Sequence, residues 1–282
     1  MLQSLKYSAV KFLEKNPYLQ MLIYNNLFFF KFLLPQDKDY LGLKLLFNKN
    51  EENTFVDVGG NIGLSTASFR EMGFHKNQIL VFEPDKFLIK KYLSRLKHYY
   101  KNIKIFSFGL SDKNESKILY QAKYKNIFIH LNNSFSKDYI KKKIENNYPD
   151  KFNFFRYNEK RFRLKRFDNL KYKKKICFIK IDVEGLDHLV IRGMKNFLKK
   201  NRPIFLIEFN QSNFFLIWNS LKKNYNCYSY NIDKNCFKMF SVNMIKKLIS
   251  GHIFDKKYDK NSINLFLIPK KFKLKQKITR LN

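Results

Sequence analysis

Cysteine is scarce in this sequence of 282 residues, which contains only Cys177, Cys227 and Cys236. These three form neither an even set, as a disulfide framework requires, nor a pair with metal-ligand spacing. No cluster of histidine and cysteine with the spacing of a zinc site is present either. We therefore expect a reduced, cytoplasmic protein, and the sequence predicts no metal site.

Long apolar runs are also lacking. The most apolar stretch, Tyr18–Leu34, is interrupted by Gln20, Asn25, Asn26 and Lys31. It falls short of the roughly 20 apolar residues that cross a bilayer. No cleavable signal peptide is recognisable. The stretch instead favours an amphipathic helix that packs on the domain or lies on a membrane surface.

Acidic residues are few: 23 Asp and Glu stand against 56 Lys and Arg, for a formal net charge of +33. Such a charge suggests a nucleic acid or an anionic membrane as partner. The excess is mostly lysine, however, and it accompanies abundant Asn, Ile, Phe and Tyr and only three Ala, as an AT-rich coding sequence produces. Part of the charge therefore reflects codon bias. The clusters at 141–143, 160–166 and 171–175 predict either a solvated face or a contact with an anionic substrate or membrane.

Glycine is rare, with nine residues in all, yet Gly59, Gly60 and Gly63 lie close together. They follow the apolar run Thr54–Val58, so that the segment reads T-F-V-D-V-G-G-N-I-G. A short strand, a glycine turn and a helix open a nucleotide-binding βαβ unit. Here Gly59 and Gly60 would let the backbone approach a ligand, and Gly63 would let the helix begin close to the strand.

The acid of this loop favours one cofactor. Asp57 ends the strand, and we expect it to point its carboxylate into the crevice. The loop departs from the dinucleotide fingerprint G-x-G-x-x-G, and an acid would not help to bind a pyrophosphate. S-adenosylmethionine has no phosphate and carries an amino group and a sulfonium, which a carboxylate attracts. A purely structural glycine turn is the alternative.

Two further acids follow neighbouring strands. The apolar strand Gln78–Phe82 runs into Glu83, which could accept hydrogen bonds from both ribose hydroxyls or be a solvated loop acid. A third strand is predicted at Ile103–Phe108. Beyond it, Asp112 could reach the exocyclic amine of adenine or be an ordinary turn residue.

The remaining pattern predicts an α/β fold with a doubly wound, mostly parallel, Rossmann-like sheet. Residues 1–52 form an N-terminal helical appendage, 53–270 the main domain and 271–282 a basic tail. Between the third and fourth strands of the sheet the helical rhythm disappears over 115–166. We interpret this segment as an insertion of short strands that forms part of the acceptor side.

Acids also follow the last core strands. Asp182 and Glu184 come after the apolar run Ile176–Ile181, and Glu208 comes after Pro203–Ile207. The carboxyl ends of parallel strands meet in one crevice. We therefore expect these acids to face the same ligand as Asp57 and Glu83.

Together these motifs resemble the FkbM-type S-adenosylmethionine-dependent methyltransferases. The resemblance covers about 53–210 and rests on D-V-G-G-N-I-G, on F-E-P, on Arg166–Leu170 and above all on I-K-I-D-V-E-G-L-D-x-x-V-I-R-G. It implies a class I methyltransferase fold, S-adenosylmethionine as cofactor, and O-methylation of sugar or polyketide-type hydroxyls. Two departures are Gly60, where Ala is common, and Asp187, where Glu is usual.

The resemblance also implies residue roles. The cofactor residues would be Asp57, Gly59, Asn61, Gly63 and Glu83, to which the residues themselves add Gly60 and Asp112. Asp182 would act at the methyl group or the acceptor hydroxyl with Glu184 in support, and Glu208 would belong to the acceptor pocket. His188 and His130 are weaker candidates for a base.

Two other functions stay open. A nucleic-acid methyltransferase is favoured by the charge, but Asp182-Val183-Glu184-Gly185 stands where such enzymes carry Asn/Asp/Ser-Pro-Pro-aromatic, and its carboxylates would repel phosphate. A non-catalytic basic protein on a membrane surface is the second. We expect a hydroxyl-bearing small molecule or glycan as acceptor, with peripheral contact to an anionic membrane as a further option.

Overall fold

The computed structural model describes residues 16–26, 35, 37–125, 127–129, 133–170, 172, 174–183, 185–250, 264–274 and 279–281. Its strands are β1 Thr54–Val58, β2 Gln78–Phe82, β3 Ile103–Phe106, β4 Gly109–Ser111, β5 Glu115–Tyr124, β6 Ile127–Phe128, β7 Phe155–Arg166, β8 Ile176–Ile181, β9 Ile204–Glu208, β10 Tyr225–Asn231, β11 Cys236–Phe240, β12 Asn264–Pro269 and β13 Thr279–Leu281.

Its α-helices are α1 Pro17–Asn25, α2 Leu43–Leu46, α3 Leu64–Glu71, α4 Lys86–Leu88, α5 Ser94–Tyr99, α6 Lys137–Asn147, α7 Asp187–Gly193, α8 Lys195–Lys200, α9 Gln211–Leu221 and α10 Val242–Ile249. A π-helical segment, Ile89–Leu93, joins α4 to α5. Short 3₁₀ helices lie at Lys38–Gly42, Pro149–Phe154 and Phe167–Asn169. No helix among these described residues is long and apolar enough to cross a membrane.

Nine strands form the main sheet, in the order β13-β11-β10-β12-β9-β8-β1-β2-β3. From β3 to β9 all neighbours are parallel, and β12 lies antiparallel between β9 and β10. The predicted doubly wound, mostly parallel α/β sheet is confirmed. Since the chain leaves β1 towards β2 on one side and reaches β8 on the other, a ligand crevice is expected outside the carboxyl ends of β1 and β8.

The central strands are apolar because helices cover both faces of the sheet. On one face Val56 and Val58 belong to a core with Ile179 and Ile181. On the other face Phe55 packs among aromatic rings with centroids 5.0–6.0 Å away, namely Phe47, Phe69, Phe74 and Phe178. Two buried polar residues, Asp57 and Lys180, interrupt these apolar strands.

The segment 115–166 differs in part from the prediction. β5 and β7 are long strands that pair antiparallel from Glu115↔Leu164 to Tyr124↔Phe155, within a second sheet of order β4-β7-β5-β6. The expected absence of helix is wrong, because α6 lies between them. Its N-cap is Ser136, whose Oγ accepts a hydrogen bond from the Tyr139 amide. The lysine run 141–143 obscured the helical spacing of Ile140 and Ile144, which are fully buried.

Within 1–52, the described residues include α1, α2 and the 3₁₀ helix Lys38–Gly42. Three strands, β4, β11 and β13, were not predicted. β11 pairs antiparallel with β10, and β13, in the basic tail, pairs parallel with β11. The tail strand has only three residues, too few for a periodic pattern to show.

Candidate functional site

The carboxyl ends of β1, β2, β8 and β9 open onto one cavity, which the second sheet and α6 cover in part. Its lining combines three groups of residues. The first is the glycine turn, the strand ends and the segments that follow them (Val58, Gly59, Asn61, Phe82, Glu83, Pro84, Leu88, Asp182, Val183, Leu186 and Glu208). The second is the second sheet and its connections (Gly109, Leu110, Leu119, Asn133, Phe135, Lys143 and Leu164), and the third is Asp37 with Asn264. The cavity therefore lies where the sheet topology places a ligand.

The glycine turn packs directly against two strand ends. The amides of Gly59 and Gly60 both donate to the Phe82 carbonyl, at 3.0 and 3.2 Å. Gly59 has a φ of 83°, and a Cβ there would lie 2.0 Å from the backbone oxygen of Asp182. No other residue fits this position without backbone movement. The turn and the acidic end of β8 thus belong to one site.

Glu83 lies at the cavity wall with 5 % exposure. Its Oε2 accepts from the Asn61 amide and its Oε1 from the Asp85 amide, both at 2.8 Å. Burial raises the pKa of Glu83 to about 7, although these two hydrogen bonds act in the opposite direction. The carboxyl group is therefore fixed in orientation and titrates near neutrality.

Asp85 connects the second sheet to the cavity wall near Glu83. Its carboxylate caps α4 by accepting from the Phe87 amide at 2.9 Å. It also accepts from Lys160 Nζ and Gln121 Nε2, each at 2.8 Å. One residue of the predicted basic cluster 160–166 therefore pairs with a buried acid, although its own side chain is 41 % exposed.

Asp57 does not point into the crevice, so that expectation is wrong. Its side chain is fully buried and is not part of the cavity lining. Oδ2 accepts from Ser65 Oγ at 2.5 Å and Thr66 Oγ1 at 2.6 Å. Side chains alternate along a strand, so Val58 faces the cavity while Asp57 lies beneath the first turn of α3.

The partner of this acid was not predicted from the sequence. Lys180, on β8, has 6 % exposure. Its Nζ lies 3.1 Å from Asp182 Oδ2, 3.6 Å from Asp57 Oδ1 and 3.3 Å from the Gly59 carbonyl oxygen. Burial by itself lowers the pKa of Lys180, but the charges of Asp182 and Asp57 outweigh it and hold the pKa above its ordinary value. A charged residue inside the run I-C-F-I-K-I was the available signal.

Asp182 and Glu208 face the cavity from neighbouring strand ends. Burial alone would raise the pKa of Asp182, yet the Lys180 ammonium holds it below its ordinary value. Lys143 on α6 acts in the same direction, and Glu208 lies within hydrogen-bonding reach of Asp182. The cavity thus contains a carboxylate kept ionised by a buried cation.

Other candidates lie elsewhere. The Asp112 carboxylate accepts from Arg192 Nε at 2.8 Å and is not part of the cavity lining. His188 Nδ1 lies 2.7 Å from Asn213 Oδ1 and is also outside the lining. Asp187 is buried and accepts from the Val183 amide at 3.1 Å. Glu184 and His130 lie outside the described residues.

A family model for the methyltransferase FkbM domain matches residues 57–231, more than half of the chain. The chain belongs to the FkbM methyltransferase family. It therefore carries an S-adenosylmethionine-dependent methyltransferase domain, and the sheet described above is its class I, Rossmann-like fold.

Among solved structures, the chain is similar to an FkbM methyltransferase from Methylobacillus flagellatus KT, with 13 % identity over 77 % of this chain and 43 % of that one, at a TM-score of 0.45. It is also similar to a putative rRNA methylase from Clostridium thermocellum, with 10 % identity, 84 % and 94 % coverage and a TM-score of 0.42. The chain spans less than half the length of the first structure. No curated protein matches it. These likenesses are too distant to indicate the acceptor.

Proposed function

We propose that this protein transfers a methyl group from S-adenosylmethionine to a hydroxyl of a sugar, glycan or other small acceptor. The observation that carries the proposal is the Asp182 carboxylate. It faces the cavity, Lys180 Nζ lies 3.1 Å away, and its backbone touches the glycine turn at Gly59. Gly59, Asn61 and Glu83, which are expected to bind the cofactor, thus line the same cavity as the acid that would serve an acceptor.

The residues present fit the cofactor. The cavity offers the carboxylates of Glu83, Asp182 and Glu208 to a cation, and the glycine turn lines it at Gly59 and Asn61. Gly59, Gly60 and Asn61 would hold the methionine end, and Glu83 would accept from the ribose hydroxyls. When bound, S-adenosylmethionine supplies an electrophilic methyl group on a positively charged sulfur.

Asp182 would serve the acceptor. A hydroxyl with a pKa near about 15 is a weak nucleophile, but it loses its proton as its oxygen bonds to the methyl carbon, so a weak carboxylate base suffices. Because Lys180 keeps Asp182 ionised, this group can take up that proton at neutral pH. Most of the acceleration would then come from orientation of the acceptor.

Asn133 provides a hydrogen-bond acceptor in the same cavity. Its side chain has 8 % exposure, and its Oδ1 has no hydrogen-bond partner among the described residues. A buried polar atom is normally paired, so this carbonyl favours a ligand that donates an O–H or N–H group. A hydroxylated acceptor meets that requirement.

The two other functions are less favoured. A nucleic-acid substrate would bring phosphates near Asp37, Asp182 and Glu208, all of which line the cavity. A non-catalytic protein would have no need of a Cβ-free turn packed against an ionised acid. If S-adenosylmethionine binds, ligand at about 100 times its Kd should add about 2.7 kcal/mol to the unfolding free energy.

The test is transfer of a labelled methyl group to glycan, lipid-linked sugar and RNA fractions of the native cell. We expect label in a sugar-containing fraction, in a form that resists mild alkali as a methyl ether does and a methyl ester does not. Asp182→Asn should lower kcat by about 100-fold or more. Asp233→Asn, at an exposed turn between β10 and β11, is the matched control. Label in RNA alone, or a wild-type rate for Asp182→Asn, would refute the proposal.

A further inference from the structure

Three large apolar side chains are exposed where α1 meets the second sheet. Tyr18 and Leu22 on α1 have 47 % and 53 % exposure, and Phe154, just before β7, has 56 %. Tyr18 and Leu22 are four residues apart and therefore lie on the same side of the helix. Exposed apolar side chains that cluster in this way indicate a contact surface.

The side chain of Tyr124, at the end of β5, is buried with 7 % exposure and links two of these exposed side chains. Its ring lies edge-on to Tyr18 at a centroid distance of 5.9 Å and to Phe154 at 6.5 Å. We call Tyr18, Leu22, Tyr124, Lys125 and Phe154 the Tyr124 patch. It combines α1 with the tip of the segment that covers the cavity.

Positive charge accompanies this patch. Lys125 is exposed, and its Nζ lies 5.8 Å from the Tyr124 ring centroid and 6.0 Å from that of Phe154. Exposed Arg156 follows on β7, and exposed Lys141 and Lys142 lie on α6, which packs against the same strands. Aromatic and aliphatic side chains between lysines fit the boundary of an anionic bilayer, where rings enter the headgroup region and ammonium groups meet phosphates.

A second pair of exposed apolar residues has no lysine described over its aromatic ring. Phe215 and Leu216 on α9 have 46 % and 45 % exposure. Within the described part of the chain, no lysine is recorded over the Phe215 ring, in contrast to Phe154. Exposure alone therefore does not distinguish the two surfaces, but the combination of rings and cations does.

We propose that the Tyr124 patch docks this protein on an anionic lipid bilayer. The segment that carries the patch also supplies Leu119, Lys143 and Leu164 to the cavity. Docking would thus bring the cavity to acceptors held at the membrane, such as a lipid-linked sugar. The docking itself does not require the proposed reaction.

The test uses the full chain with vesicles of phosphatidylcholine alone and of phosphatidylcholine with phosphatidylglycerol. We expect cosedimentation with the anionic vesicles that weakens as salt is raised, and little with the neutral ones. Phe154→Ser and Leu22→Ser should each lower partitioning by about 5-fold or more, because each removes an apolar side chain from the interface. Lys125→Gln should lower it and reduce its salt dependence.

Phe215→Ser is the matched control, with similar exposure on the other surface, and should change partitioning by less than about 2-fold. Calorimetric affinity for S-adenosylmethionine, measured in every variant without vesicles, separates a failure of docking from a failure of the proposed function. The proposal is overturned if the wild-type chain ignores anionic vesicles at low salt, or if Phe215→Ser weakens binding as much as Phe154→Ser. RNA binding without vesicle binding would also overturn it.

Discussion

Replacement of Lys180 by methionine tests the charge network at the centre of the site. Lys180→Met keeps the length of the side chain and removes the only described cation that contacts both Asp57 and Asp182. Asp57 is fully buried, so its charge has no access to solvent once the ammonium is lost. The variant therefore leaves a buried carboxylate without compensation.

The expected loss of stability follows from this burial. Removal of one partner from a buried ion pair typically destabilises a protein by about 3–5 kcal/mol. The lower end applies here, because Asp57 retains the Ser65 and Thr66 hydroxyls and the Asp182 side chain has 34 % exposure. We expect an unfolding free energy lower by about 3 kcal/mol at pH 8, or a Tm lower by roughly 5–10 °C.

The difference in unfolding free energy between Lys180→Met and the wild type should decrease as the pH falls. In the wild type the pKa of Asp182 is lowered, so its stabilising contribution is present above the unfolded pKa of about 3.9 and is lost below it. Without Lys180, burial would raise this pKa, and folding of the variant would then be favoured by protonation. This difference in unfolding free energy should therefore become smaller between pH 8 and about pH 5.

Urea denaturation across this pH range measures the effect. Lys180→Met/Asp57→Asn is the control: it removes the uncompensated charge and keeps an acceptor for the two hydroxyls, so part of the stability should return. The acidic limb of the kcat–pH profile should also move to higher pH in Lys180→Met, since Asp182 would protonate earlier. This account would be refuted if Lys180→Met were as stable as the wild type at pH 8. It would also be refuted if the difference in unfolding free energy did not depend on pH.

Three further substitutions test other parts of the site. Glu83→Gln should weaken S-adenosylmethionine binding by about 1–3 kcal/mol at pH 8. Wild-type affinity should itself fall below pH 7, because burial raises the Glu83 pKa to about 7 and protonation removes the better acceptor; calorimetry with no pH dependence would count against a ribose contact. Gly59→Ala should abolish cofactor binding and lower the Tm, since its Cβ would lie 2.0 Å from the Asp182 oxygen; retained binding would show that the turn relaxes. Asp112→Asn should change affinity by less than about 2-fold, because its carboxylate pairs with Arg192; a tenfold loss would instead support a contact with adenine.

Local sequence patterns were sufficient to predict the core strands, the glycine turn and the acids that follow the strands. The apolar runs that became β1, β2, β8 and β9 were predicted from the sequence because strands buried on both faces must be almost wholly apolar. The glycine turn was predicted because the left-handed φ of Gly59 and Gly63 restricts the residue type. Acids directly after such strands could be assigned to one edge of the sheet, since parallel strands end together.

Side-chain direction and long-range pairing were decided by the tertiary structure. The alternation along β1 turns Asp57 away from the cavity, and which face of the strand is the cavity face depends on the elements packed around it. Lys160 pairs with Asp85, which is 75 residues away in the chain, and Lys180 pairs with two acids at the ends of different strands. The sequence by itself determined where strands, turn and acids occur, because these depend on neighbours in the chain. Which acid is buried with a cation and which faces the ligand was determined only by packing, because burial and charge pairing arise between residues that folding brings together.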